Sequence, residues 1–321
     1  MMDNLILQLI IYLVCFLLVW LGSDLVVSTI AGLSNSWRLP RFIISFIFLG
    51  LLTSLPELTI GIASIANDDP QIVAGNLLGG IIVMFLGVIP LLGVLGNGIK
   101  IPSQLNKRQL ISTLIVVVAP AFLTADQKLG KWEGMFLIVL YLGLVLSFSM
   151  KQSYLDKAKN IMNRKKKRGA GLILKILVGM LLLIGASYQI VNSTIYFADI
   201  LSISPFFVSL IVVAIGTNIP EISIAIRSVL SKKKDIALAD YLGSASANSL
   251  LFGIFTLMYG ETIQLPNHFL QRFSFLAIGL ILFYFFARSR NHLSRKECAV
   301  LLCLYLGFVV VEIMLMTSLA G

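Results

Sequence analysis

"TSLPELTIGIAS" at residues 53–64 and "TNIPEISIAIRS" at residues 217–228 are one pattern written twice, 164 positions apart. Each sets a proline and a glutamate side by side inside a long apolar run, the first continuing from Phe42 to Ala66. Both residues are costly there, because proline has no N–H for the carbonyl four residues back and a carboxylate is poorly solvated in hydrocarbon. The same offset lays "QIVAGNLLGG" (71–80) on "DIALADYLGS" (235–244), with Ile, Leu and Gly coinciding. Self-similarity of this kind changes how every other residue is read.

The repeat lies in a chain of 321 residues that is 58% hydrophobic and 12% charged. Its apolar residues fall in segments of the length a bilayer requires, about 20 residues per helix. With Pro, Gly and charge clusters as punctuation, ten spans are predicted, at 5–32, 40–66, 71–97, 108–125, 131–150, 171–198, 204–230, 236–259, 269–288 and 298–319. The gaps leave no room for a soluble domain. The first span lacks a basic n-region and a clear small-residue cleavage site, so it is read as a retained helix. Cys15, Cys298 and Cys303 all fall in spans without metal-site spacing and are read as packing residues.

Five spans precede the basic stretch at 151–170 and five follow it. Five is odd, so the second half enters the membrane from the side opposite to the first. The expected fold is therefore an all-α integral membrane protein, with ten transmembrane helices as two inverted five-helix repeats and Pro-broken helices at the midplane. Residues 1–150 form the first repeat, 151–170 a basic cytoplasmic linker, and 171–321 the second repeat. Inverted repeats that meet at a midplane site are an architecture of secondary transporters.

The net charge of +10 is distributed as topology requires. Twenty of the 25 Lys and Arg fall on one set of alternate loops: Arg38 and Arg41; Lys100, Lys107 and Arg108; Lys151 to Arg168; Lys232 to Lys234; and Arg288, Arg290, Arg295 and Lys296. The positive-inside rule places those loops in the cytoplasm and both termini outside. This pattern excludes nucleic acid as the reason for the basicity; the partners are the lipid bilayer and inorganic cations. A multi-pass protein of the bacterial inner (plasma) membrane is expected.

Glu57 shares a helical face with Thr53 and Ser54, and with Gly50 a further turn back. In the second half the same face carries Glu221, Thr217, Asn218 and Ala214. Pro56 should free the carbonyl of Leu52 and Pro220 that of Gly216, and such carbonyls are good ligands for hard cations. The third and eighth spans supply the other wall, as stripes at i, i+4 and i+8 reading Asn76, Gly80, Met84 and Asp240, Ser244, Asn248. Symmetry-related Pro-Glu pairs point to an ion site. Glu312, in the last span with no repeat partner, and Asp24 and Asp199, near predicted membrane surfaces, are read as structural. Arg227 is read as snorkelling.

These residues resemble a known family. "TSLPEL" with "AGNLLGG", and "GTNIPEI" with "YLGSASAN", are similar to the two alpha repeats of the cation/calcium antiporter superfamily, the sodium/calcium exchangers and their prokaryotic relatives. The resemblance covers both halves. It implies antiport of Ca2+ against Na+ or H+ by alternating access, and it assigns the central ligands to Thr53, Glu57, Thr217, Glu221, Ser244 and Asn248, with backbone oxygens near Gly50 and Ala214. Ser54, Asn218, Asp240 and Asn76 are the next tier of candidates. The chain departs from the family pattern at Gly80 and Met84, where Ser and then Asn or Asp are usual, and at Asn248, where Asp is frequent. Two carboxylates then stand at the centre, with Asp240 about two turns, roughly 12 Å, from Asn248 along its stripe.

The alternatives are a monovalent cation/proton antiporter on the same fold and a non-transporting cation sensor or scaffold. An enzyme is not expected: no nucleophile and base pair or metal-ligand His set is present, and His268 and His292 lie at span ends. Nor is there a nucleotide or redox-cofactor motif, so no cofactor is implied.

Overall fold

The computed structural model describes residues 2–34, 45–102, 105–149, 170–230, 234–266 and 269–319. The linker expected at 151–170, Arg38, Arg41 and His268 therefore lie outside the described residues, apart from Ala170.

The first half contains α1 (Met2–Ser34), α2 (Ser45–Thr53), α3 (Leu55–Ala66), α4 (Pro70–Leu95), α5 (Lys107–Leu123) and α6 (Lys131–Ser149). The second contains α7 (Ala170–Leu201), α8 (205–217), α9 (Ile219–Leu230), α10 (Lys234–Tyr259), α11 (Phe269–Ser289) and α12 (Arg295–Leu319). Among the described residues nine helices are long and apolar enough to cross a membrane, or ten if α2 and α3 count as one bent span. Four two-residue strands, β1 (Ile99–Lys100), β2 (Lys128–Leu129), β3 (Ile263–Gln264) and β4 (His292–Leu293), add what an all-helical expectation omits.

Elements recur at the spacing of 164 seen in the sequence. The π-helical turn Ser45–Leu49 recurs as Ser209–Val213, β1 as β3, and β2 as β4. The strands pair across the halves, β1 with β4 and β2 with β3, both antiparallel. This brings the loops carrying Lys100 and Arg290 together at one end of the bundle. Central α4 and α10 run in opposite directions. Gln71 at the start of α4 donates to the Gln264 carbonyl beyond the end of α10 at 3.3 Å, while Lys234 at the start of α10 donates to the Gly96 and Gly98 carbonyls beyond the end of α4 at 2.5 and 2.6 Å.

These two helices form the core. The windows of α4 and α10 are 89% and 78% buried, against 28% for α1 and 22% for α12, whose apolar faces turn outwards as lipid-facing surfaces do. Helix α1 packs on α7 where Gly22 approaches the Gly179 carbonyl and Tyr12 hydrogen-bonds Thr194 at 2.8 Å. The α7 helix in turn meets α3 through Ser187 and Thr59 at 2.7 Å. Cys15 and Cys298 are buried, whereas Cys303 is exposed on the outer face of α12.

At each Pro-Glu motif a single non-helical residue interrupts the helix, Ser54 in one half and Asn218 in the other. The first interruption bends the chain by 43°; the second leaves 205–230 as one span. Pro56 and Pro220 offer no N–H to the carbonyls of Leu52 and Gly216. The nearest backbone N–H beyond each is that of the interrupting residue, Ser54 or Asn218, only two residues on.

Two glycines hold the broken helices against the core. Gly243 of α10 lies against the Phe46 carbonyl in the π turn of α2, and Gly79 of α4 lies against the Leu210 carbonyl in the π turn of α8. A Cβ at either position would overlap a backbone atom that cannot rotate away. Gly243→Val is expected to cost at least about 1–3 kcal/mol, read as a lowered melting temperature in detergent. Gly143→Val is the control, since nothing lies within 4 Å of that position, and should melt as the wild type does.

Candidate cation site

The two glycine contacts bring four segments to one place, and their polar side chains are almost wholly buried. Thr53, Glu57, Asn76, Thr217, Asn218, Glu221, Asp240, Ser244 and Asn248 are each at most 1% exposed, and Ser54 2%. Gly50 and Ala214 are buried beside them. The site candidates named from the sequence thus converge, and they do so as two related lobes.

In the first lobe Thr53 Oγ1 donates towards Asp240 Oδ1 at 3.2 Å and the Gly50 carbonyl at 3.3 Å. Ser54 Oγ donates to the Gly50 carbonyl at 2.9 Å and meets Ser244 Oγ at 3.2 Å. In the second, Thr217 Oγ1 donates towards Asn76 Oδ1 at 3.2 Å and the Ala214 carbonyl at 3.3 Å, while Asn218 Nδ2 donates to the Ala214 carbonyl at 2.7 Å. Every partner in one lobe is 164 residues from its counterpart in the other. Where Ser54 meets Ser244, Asn218 faces Gly80, which has no side chain to offer. A Cβ at Gly80 would come within 2.9 Å of Asn248 Nδ2 and 3.6 Å of Asn218 Nδ2, so the two amides occupy the space a side chain would fill.

The carboxylates stand between the lobes. Ser244 Oγ donates to Glu221 Oε1 at 3.5 Å, and Glu221 lies within electrostatic reach of both Glu57 and Asp240. Glu57 Oε2, Glu221 Oε2, Asp240 Oδ2 and Asn248 Oδ1 are buried without a hydrogen-bond partner. Buried polar atoms are rarely left so. Among the described residues no three His, Cys, Asp or Glu side chains are placed to hold one metal ion. A cation between the glutamates must therefore draw on hydroxyl, amide and carbonyl oxygens as well.

Asp240, a second-tier candidate set apart along its stripe, reaches the site because its helix crosses α2 at Thr53. One feature escaped the sequence reading. Tyr241 is buried and donates to the backbone carbonyl of Glu221 at 2.9 Å, fixing the turn that presents this carboxylate. Its counterpart 164 residues earlier is Leu77, so the repeat gave no sign of it.

The remaining charged residues lie elsewhere. Asp24 and Asp199 are exposed. The side chain of Arg227 lies outside the described residues. Arg272, near the start of α11, is buried: Nε binds Glu312 at 3.0 Å, Nη1 donates to the Pro266 carbonyl at 3.3 Å, and the guanidinium covers Phe206 and Phe207 at 4.8 and 5.0 Å. A polar cleft of about 380 Å³ opens at the start of α4, lined by Asp68, Asp69, Gln71, Tyr259 and Gln264. There burial pushes the Asp69 carboxyl above its ordinary range, with Asp199 and Asp68 adding to the effect.

Comparison with known proteins now bears on the same residues. The family described as sodium/calcium exchanger protein matches residues 7–150 and 171–314, which include both lobes. The chain belongs to this family. It is a multi-pass membrane protein and a cation antiporter, not an enzyme. Inner membrane protein YrbG of Escherichia coli is 24% identical over 299 residues, covering 90% of this chain and 91% of that one. Sodium/calcium exchanger MaX1 of Methanosarcina acetivorans is 24% identical over 334 residues, covering 90% and 94%. The sodium-calcium exchanger NCX_Mj, in crystals soaked with 2.5 mM Na+ and 10 mM Sr2+, superposes with a TM-score of 0.67 at 19% identity, over 95% of this chain and 98% of that one. At that identity the likeness is one of fold.

Glu312 serves as a test of what lies outside the site. Glu312→Ala leaves Arg272 buried without its counter-charge and is expected to cost about 3–5 kcal/mol. Melting in detergent should register the loss, with cation dependence of the melting temperature unchanged.

Proposed function

We propose that the chain exchanges Ca2+ for Na+ or H+ by alternating access, with Glu57 and Glu221 holding the cation directly. The observation that carries this reading is the set of unpartnered, buried carboxylate oxygens between two lobes related by the repeat. Thr53, Thr217, Ser244 and Asn248 complete the ligands, with carbonyls at Gly50 and Ala214 and the second tier of Ser54, Asn218, Asp240 and Asn76. Relatives named or titled as sodium/calcium exchangers support the choice of ions.

The architecture that serves this function is ten spans in two inverted five-helix repeats, 1–150 and 171–321, joined by a basic linker at 151–170. Antiparallel α4 and α10, the cross-paired strands and the recurrent spacing of 164 residues support it. The helices broken at Ser54 and Asn218 meet at the midplane. Basic loops face the cytoplasm, both termini face outwards, and the membrane is the bacterial inner membrane, which agrees with the name of the E. coli relative. In the cycle the cation is bound by ionised carboxylates, and Na+ or H+ must replace it before the site faces the other side. Each half supplies one carboxylate, so movement of the halves past each other opens the site to one side at a time.

A second reading, a monovalent cation/proton antiporter, is favoured by Gly80 and Met84. Ca2+ takes six to eight oxygen ligands, and neither residue offers a hard one. Gly80→Ser with Met84→Asn supplies two. If the chain already carries Ca2+, the pair should lower the half-saturating Ca2+ concentration, by roughly tenfold; if it carries only monovalent ions, the pair should create a Ca2+ dependence the wild type lacks.

Glu57→Gln and Glu221→Gln keep side-chain volume and remove charge. In proteoliposomes each should abolish flux under imposed Na+, Ca2+ and pH gradients while elution as a folded species persists. Flux at the wild-type rate in both variants would refute the assignment. Cation binding without flux in the wild type would instead identify a sensor or scaffold.

A further inference from the structure

Helix α10 holds Glu221 at two points. Tyr241 Oη donates to the Glu221 backbone carbonyl at 2.9 Å, and one turn on Ser244 Oγ donates to Glu221 Oε1 at 3.5 Å. At the matching positions of α4 stand Leu77 and Gly80, so neither hydroxyl is offered to Glu57. Two residues beyond Glu57, α3 is tied instead to peripheral α7, through Thr59 and Ser187 at 2.7 Å. The breaks differ as well: the first bends the chain by 43°, and the second leaves 205–230 as one span.

Packing does not account for the hydroxyl of Tyr241. Leu77 and Tyr241 are both fully buried, so an aliphatic side chain serves the same place in the repeat. A buried phenol carries a desolvation cost that its hydrogen bond must offset, and here that bond ends on the residue bearing the carboxylate. The hydroxyl is turned to the backbone, so whatever it does for the cation it does through Glu221.

We infer that Tyr241 is a positioning residue that makes Glu221 the fixed carboxylate of the pair, leaves Glu57 the adjustable one, and so sets which cation sizes the centre accepts. Oxygen ligands lie about 2.0–2.1 Å from Mg2+ and about 2.3–2.6 Å from Ca2+, so ions of one charge are told apart by fractions of an ångström. A ligand free to follow the ion accepts each size, whereas one held from behind penalises a misfit. Glu57, on the bent helix, closes on the ion, and Glu221 supplies the wall against which its size is judged. The same holds for an alkali cation. The inference deepens the proposed function and rests on both glutamates holding the cation.

The test uses the full-length protein in proteoliposomes and Tyr241→Phe, which keeps the ring and removes the hydroxyl. Half-saturating concentrations are measured for Ca2+, Sr2+ and Ba2+, and for Li+, Na+ and K+. Flux should persist, while the ratio between the best-carried ion and the next in size narrows by ~three- to tenfold. Tyr12→Phe is the control: it also removes a buried tyrosine hydrogen bond, to Thr194 at 2.8 Å, but between α1 and α7, and should keep the wild-type ratios. Should Tyr241→Phe not fold, Tyr241→Leu, which copies the other half, carries the same comparison; failure of both would show that Tyr241 serves packing and would overturn the inference. Wild-type ratios in Tyr241→Phe, or equal narrowing in Tyr12→Phe, would overturn it too. Flux lost in the glutamate variants together with wild-type ratios in Tyr241→Phe removes only this role, whereas wild-type flux in both Glu57→Gln and Glu221→Gln removes the proposed function beneath it.

Discussion

Everything about the site depends on two backbone contacts, Gly243 against the Phe46 carbonyl and Gly79 against the Leu210 carbonyl. Each presses the π turn of a broken helix onto the central helix of the other half. From there the next turn of α2 or α8 delivers a threonine and a serine or asparagine, and the helix beyond the break delivers a glutamate. The glycines act by what they lack, since any side chain would push the halves apart and carry the ligands with them.

The same contacts explain why the fold was legible in the sequence. A glycine, a proline and a glutamate repeated at one spacing constrain the chain at three levels: where helices touch, where they break, and where charge is buried. The spans predicted from hydropathy agree with the observed helices to within a few residues, because the apolar runs end where Pro, Gly and charge intervene. Two of the loops that the Lys and Arg distribution assigns to one side, those of Lys100 and Arg290, meet where β1 pairs with β4.

What was not legible depended on contacts between elements. The breaks were readable from Pro56 and Pro220, but not that each takes one residue, Ser54 or Asn218, nor that only the first bends the chain, by 43°. Asp240 stood only in the second tier of candidates because it lies two turns from Asn248 along its own helix, whereas α2 crosses that helix at Asp240. The partner of Glu312 was not legible because Arg272, 40 residues earlier, meets it only through the packing of α11 on α12, and it also covers Phe206 and Phe207. Tyr241 was invisible because only one half of the repeat carries it.

The central claim is that one cation lies between Glu57 and Glu221, held by oxygens from both halves. The most direct measurement is diffraction from crystals of the protein soaked in Sr2+, with anomalous difference maps calculated before and after Na+ replaces it. The account predicts a peak between the two carboxylates, within coordination distance of Thr53 or Thr217, that fades as Na+ rises. A peak at the Asp68–Asp69 cleft alone, or none between the glutamates in protein that transports the ion, would contradict it.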